Sequence, residues 1–103
     1  MSILSFLGLD NGQIKNALRK GAIIIDVRTA NEYDQGRVRE SINIPIDRIS
    51  ANVERIRQFN RPVIFCSNDD RSGIAVRMMK EKGLKDVYNG GSWINVLKIQ
   101  KTI

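Results

Sequence analysis

The chain has 103 residues, 42% hydrophobic and 27% charged, which suits one folded domain over residues 1–103 and argues against wholesale disorder. It has one cysteine and no histidine, so an intramolecular disulfide, a Cys-based zinc cluster, Ser-His-Asp or Cys-His catalysis and His-ligated metals are all excluded. Its net charge of +6 reads as a solvated basic surface, and without long like-charge runs or an interleaved aromatic stripe no nucleic-acid partner is expected. Residues 1–9 are apolar but lack a basic n-region and a small-residue cleavage site, so they do not read as a signal peptide. No stretch is long enough for a membrane span, and the expected compartment is the cytoplasm, where a lone free thiol is stable.

In chain order, Asp10 is placed to cap a helix that carries Ile14, Ala17 and Leu18 on one side and ends at Gly21. Ala22, Ile23, Ile24 and Ile25 form an apolar, β-branched run, the signature of a strand buried on both faces. Thr29 and Glu32 have capping-box spacing and open a short helix stopped by Gly36. Ile42 to Pro45 predicts a brief strand. A helix beginning at Asp47 or Ser50 would turn Ile49, Val53 and Ile56 inward. Val63, Ile64 and Phe65 give a second apolar strand, and the chain changes character at Cys66. A polar loop (Ser67, Asn68, Asp69, Asp70) leads to Arg71, Ser72 and a helix with Ile74, Ala75, Met78 and Met79 on one side, ended by Gly83. Val87 and Tyr88 predict a short strand, followed by an Asn89-Gly90-Gly91 loop and a last helix with Trp93, Val96 and Leu97.

Such alternation predicts the α/β class, in three α/β/α layers around a small, mostly parallel sheet of four to five strands. Sites in these sheets form outside the carboxyl ends of the strands, where Cys66 stands. Unpaired N–H groups of the loop and first helical turn favour thiolate over thiol there. Arg71, five residues on, can bring a guanidinium to the same cradle and grip an anion. The competing reading makes Cys66 a small buried hydrophobe.

The pieces Ile25-Asp26-Val27-Arg28, Glu32-Tyr33, Gly36 and Ile42-Asn43-Ile44-Pro45 resemble the first half of a rhodanese-like domain. Cys66 with Arg71-Ser72 resembles its active-site loop, and Gly90-Gly91-Ser92-Trp93 its closing motif. The resemblance implies a single-domain sulfurtransferase needing no cofactor or metal. Cys66 would take sulfur from thiosulfate or a persulfide donor and pass it to cyanide or to a thiol, small or protein-borne. Arg71 would bind the donor's anionic group, and the amides of residues 67–72 (Ser67, Asn68, Asp69, Asp70, Arg71, Ser72) would cradle the sulfur.

Asp26, Arg28, Glu32 and Trp93 are expected to support the site rather than act in it. Asp26 would satisfy loop amides, Arg28 and Glu32 are spaced to pair, and Trp93 would pack the last helix on the sheet. Two positions depart from the family pattern. Arg37 stands where histidine is common, and Asp69, followed by Asp70, stands where glycine is usual. Aspartate tolerates the unusual backbone angles that a glycine would supply. A carboxylate about 7 Å from the thiolate costs roughly 1 kcal/mol at an effective dielectric of about 40, which disfavours a dianionic donor. That acidity keeps open a regulatory, partner-binding or redox-sensing module. Related cysteine-dependent phosphatases have five residues between cysteine and arginine; the four here argue for a sulfur substrate.

Overall fold

The computed structural model describes residues 10–103; the reading of residues 1–9 as no signal peptide lies outside them. Strands β1 (Ile23–Asp26), β2 (Ile42–Asn43), β3 (Val63–Ser67) and β4 (Val87–Ser92) form one parallel sheet in the order β2-β1-β3-β4. Helices α1 (Asn11–Arg19), α2 (Ala30–Asp34), α3 (Val53–Gln58), α4 (Arg71–Glu81) and α5 (Trp93–Gln100) precede, connect or follow them. The α/β class, the three layers and the parallel sheet are as the alternation predicts, with four strands.

The two interior strands are the two apolar runs, and their side chains alternate between two cores. Ile25 and Phe65 pack with α3 and α4 through Val53, Ile56, Ala75 and Met79. Ile24 and Ile64 pack with α1 and α5 through Ile14, Ala17, Val96 and Ile99. The Asp10 carboxylate accepts from the amides of Gly12 and Gln13, starting α1. Helix α1 closes at Gly21 (φ +83°), where Ala22 N donates to Ala17 O and Gly21 N to Leu18 O, the paired bonds of a Schellman turn.

Three local expectations are corrected. The helix begins at Ser50 but as a 3-10 turn, Ser50–Asn52, that runs directly into α3, a separate 3-10 turn spans Ile46–Arg48, and neither turn has a side-chain cap. Ile49, Val53 and Ile56 nevertheless point inward. Helix α4 buries Ser72, Ala75, Val76 and Met79, while Ile74 stands 38% exposed. The 72, 75, 76, 79 spacing is itself a helical stripe, rotated from the expected one toward smaller side chains. Finally, Asn89, Gly90 and Gly91 are not a loop, because β4 continues through them. Phe65 pairs with Asn89 and Cys66 with Gly91, leaving Gly90 as the extra residue of a bulge. A Cβ on Gly90 would lie 2.6 Å from Val96 Cγ2 and 2.7 Å from Ile64 Cγ2, so close packing explains the glycine.

Candidate active site

Cys66 occupies the carboxyl end of β3, between Asp26 on β1 and Gly91 on β4. Its side chain is fully buried and belongs to the core formed with α1 and α5. Burial pushes the thiol well above the ordinary range, and the nearby Asp26 carboxylate adds to that while Arg28 opposes it. The expectation that the site favours thiolate is thus reversed in this closed arrangement, chiefly by desolvation.

A pH test follows. Above about pH 8.5 the unfolded chain releases a thiol proton that the folded chain keeps. The stability is therefore full below that pH and is lost as pH rises. Chemical denaturation should show wild type losing up to about 1.4 kcal/mol more per pH unit than Cys66→Ser between pH 9 and about pH 10. Parallel slopes would mean that the thiol is not enclosed.

The loop after Cys66 is closed largely on itself. Ser67 Oγ donates to Asp69 O at 2.9 Å and accepts from the amides of Asp69 (3.3 Å) and Ser72 (3.1 Å). The Arg71 amide donates to Asp69 Oδ1 at 3.0 Å. Three amides expected to face sulfur are thus used within the loop. Among the described residues, those of Asn68, Asp70 and Gly73 have no acceptor. Asp69 needs no left-handed backbone, since Glu40 and Asn60 are the described non-glycine residues with positive φ. It serves instead as the acceptor for Arg71. Asp70 begins α4 without a side-chain cap bond.

The Arg71 guanidinium, expected to be open to an anion, is already held. It bridges both Glu32 carboxylate oxygens (2.8 and 3.0 Å), Asp69 Oδ1 (2.8 Å) and Asn68 Oδ1 (2.7 Å). Asn68 Nδ2 also donates to Glu32, at 3.1 Å. Glu32 keeps its capping-box bonds to Thr29 as well. Arg71 first, then these Thr29 contacts, holds the Glu32 carboxyl far below the usual range. Arg71 lowers Asp69 likewise, while the two carboxylates raise the guanidinium further.

The expected Arg28–Glu32 side-chain pair is not formed. Arg28 instead lies buried against Asp26, with Nε donating to both carboxylate oxygens at 3.0 Å and Nη2 to Oδ2 at 2.7 Å. Its remaining reach goes to the carbonyls of Glu32 and Gly36, which removes the charge conflict that a lone buried guanidinium would create. Asp26 also accepts the Arg28 amide. Trp93, packed on the α1–α5 core, covers the guanidinium at 4.8 Å. These groups form the wall behind Cys66.

Two residues beside the loop were not singled out from the sequence. Asn89 stands on β4 beside the loop with Oδ1 accepting the Gly91 amide, and Arg77 lines the same depression from α4. Asn89 lay within an apparent glycine turn, and Arg77 looked like one more surface charge.

The profile of the rhodanese-like domain family matches residues 10–92, and the chain belongs to that family. It is 32% identical to the uncharacterized protein YqhL of Bacillus subtilis over 84 residues, 78% of this chain and 67% of that one. It is 27% identical to the putative mitochondrial thiosulfate sulfurtransferase of Schizosaccharomyces pombe, over 91% of this chain and 76% of the relative. The reduced Bacillus anthracis CoADR-RHD structure superposes with a TM-score of 0.70 at 29% identity, covering 89% of this chain but only 16% of that longer one.

Proposed function

We propose that the chain is a sulfurtransferase that carries sulfane sulfur on Cys66. The observation that carries this reading is a lone thiol at a strand end, under a loop with unclaimed amides at Asn68, Asp70 and Gly73, in a chain without histidine. Family membership and the sulfurtransferase name of the fission-yeast relative support it. The Cys66 thiolate attacks the outer sulfur of a donor R–S–SH, the donor S–S bond breaks, and R–S⁻ leaves. A thiolate acceptor then attacks the outer sulfur of the Cys66 persulfide and regenerates the Cys66 thiolate. Loop amides receive the developing negative charge. Arg71 acts as a brace and a source of positive field, since most of its N–H groups are committed. The test is intact mass before and after incubation with thiosulfate or a persulfide donor. A gain of one sulfur atom, removed by dithiothreitol, is expected; no gain with either donor overturns the reading.

Glu32 and Asp69 occupy the Arg71 guanidinium, and Asp70 adds a further carboxylate at the start of α4, so a persulfide of low charge suits this mouth better than dianionic thiosulfate. Asp69 holds Arg71, so the informative change is Asp70→Asn. Thiosulfate kcat/KM should rise about three- to five-fold, and alkylation of Cys66 by a neutral reagent should shift to lower pH. If neither moves, charge at Asp70 is not what limits the donor.

One observation favours a second reading, a non-catalytic partner-binding module. Cys66 is fully covered in this conformation. Failure of sulfur loading, together with a folded and ligand-competent chain, is the outcome that selects it.

A further inference from the structure

We propose that the end of the sheet opposite Cys66 carries a second binding site, a cavity at the amino ends of β3 and β4 that takes the phosphoryl group of a small hydroxylated phosphate ester. The cavity has a volume of about 270 Å³, just below the range of drug-sized sites, and lies between the turn after α3 and the turn after α4. Buried Ile56, Val63 and Val87 line it from the core side. Its polar wall is Arg57, Asn60, Arg61, Lys85 and Asp86. Strand β3 runs away from it toward Cys66, so a ligand here does not touch the thiol.

The backbone at this end is unevenly closed. Helices α1, α3 and α4 are each followed by a left-handed residue: Gly21, Asn60 and Gly83. After α1 both turn amides return to helix carbonyls, as described above. After α4 they do so again, Gly83 N donating to Lys80 O and Leu84 N to Met79 O, both at 3.0 Å. Asn60 (φ +52°) is the exception. The Phe59 amide reaches Ile56 O, but among the described residues the amides of Asn60 and Arg61 have no acceptor. A right-handed Phe59 followed by a left-handed Asn60 is the backbone concavity whose successive N–H groups bind anions. The Lys85 amide, on the α4 side of the cavity, has no acceptor either.

Three cations and one carboxylate share this space. Arg57 is fixed, with Nε on the Glu54 carboxylate at 3.2 Å and Nη2 on Lys82 O at 3.0 Å. Among the described residues, the Arg61 and Lys85 side chains have no hydrogen bond or ion pair. The Arg61 guanidinium lies against the Gly21 turn, where a Cβ would come within 3.1 Å of its Nη2. Two bonds hold the walls at a set spacing: Val63 N donates to Asp86 O at 3.0 Å, and Arg57 ties α3 to the end of α4. A phosphoryl group, with two charges and three terminal oxygens, satisfies more of these donors than a carboxylate would. Asp86 sets the other half of the ligand. Its Oδ1 accepts the Tyr88 hydroxyl at 2.7 Å, and its Oδ2 has no donor among the described residues. Beside the phosphoryl group it therefore favours a hydroxyl, which can donate, over a second anion.

Amide NMR titrations with glycerol 3-phosphate, methyl phosphate, inorganic phosphate and glycerol test this site. Glycerol 3-phosphate should shift the Asn60, Arg61 and Lys85 amides saturably, with a Kd of roughly 1 mM or below, and glycerol should leave them in place. Lys85→Gln should weaken binding about five-fold, and Arg61→Gln with Lys85→Gln more than about ten-fold. Arg48→Gln with Lys98→Gln removes the same charge away from the cavity and should change the affinity less than about two-fold. Methyl phosphate and inorganic phosphate should bind at least about three-fold more weakly than glycerol 3-phosphate, and Asp86→Ala should erase that difference. Cys66→Ser should bind as wild type does, so the outcome is independent of sulfur transfer. No saturable shift of these amides, or equal losses in the two double variants, overturns the site. Equal binding of all three phosphates overturns the role of Asp86 and leaves a site for free phosphate.

Discussion

Cys66→Ser should remain folded and lose sulfur loading and turnover by at least about a thousand-fold. A serine hydroxyl nearly matches the thiol in shape, but it is not ionised near neutral pH and is a far weaker attacker of sulfur. The chain contains no second cysteine to substitute for it. Because Cys66 sits in an apolar cluster, the hydroxyl should also cost about 1–3 kcal/mol of stability, unless it finds a hydrogen-bond partner. Circular dichroism and a denaturation curve establish the fold, and intact mass after donor treatment reads the loading. Turnover above a few per cent of wild type, or a sulfur adduct that survives the substitution, would remove Cys66 from the chemistry.

The second large effect belongs to a residue assigned no chemistry. Asp26→Ala should destabilise the fold by about 3–5 kcal/mol, because it strands the Arg28 guanidinium inside the protein without its carboxylate. In a domain of this size that lowers the melting midpoint by roughly 15–30 °C, enough for much of the chain to be unfolded at physiological temperature. The double change Asp26→Ala with Arg28→Met should recover part of the loss, since an apolar side chain needs no partner in that space. A single-variant loss below about 1 kcal/mol would show that the carbonyls of Glu32 and Gly36, with the Trp93 face, suffice to hold the guanidinium.

How legible these features were in the sequence depended on range. Ile24, Ile25, Ile64 and Phe65 announce interior strands because burial on both faces demands an uninterrupted apolar run. Thr29 and Glu32 announce a helix start because the bonds are local. Cys66 stood out because it ends an apolar strand and is followed by a polar loop. The bridge from Arg71 to Glu32 had no such signature. The partners are 39 residues apart, and no spacing rule connects them. Glu32 had a local job that hid its second one, and Arg28 had a nearer carboxylate in Asp26. Ile74 misled because hydrophobicity alone does not fix helix rotation; the smaller Ser72, Ala75 and Val76 fit beneath α4 where it packs on β3 and β4. The enclosure of the thiol depends on side chains from several elements at once, which periodicity does not report.

The bulge at Gly90 gives β4 a phase as well as a composition. In a strand each added or removed residue carries all that follow to the opposite side of the sheet. The two glycines therefore count as well as fit: together they set where Ser92 lands, and Ser92 is the residue whose hydroxyl accepts the Asn95 amide and opens α5. Losing one glycine would turn that start point over, and with it Trp93, the cover of the Arg28 guanidinium, and Val96, part of the core that encloses Cys66. The surroundings of the thiol are in this sense set by chain length at a point 24 residues downstream, so a one-residue deletion there should be tolerated less well than most substitutions in the same strand.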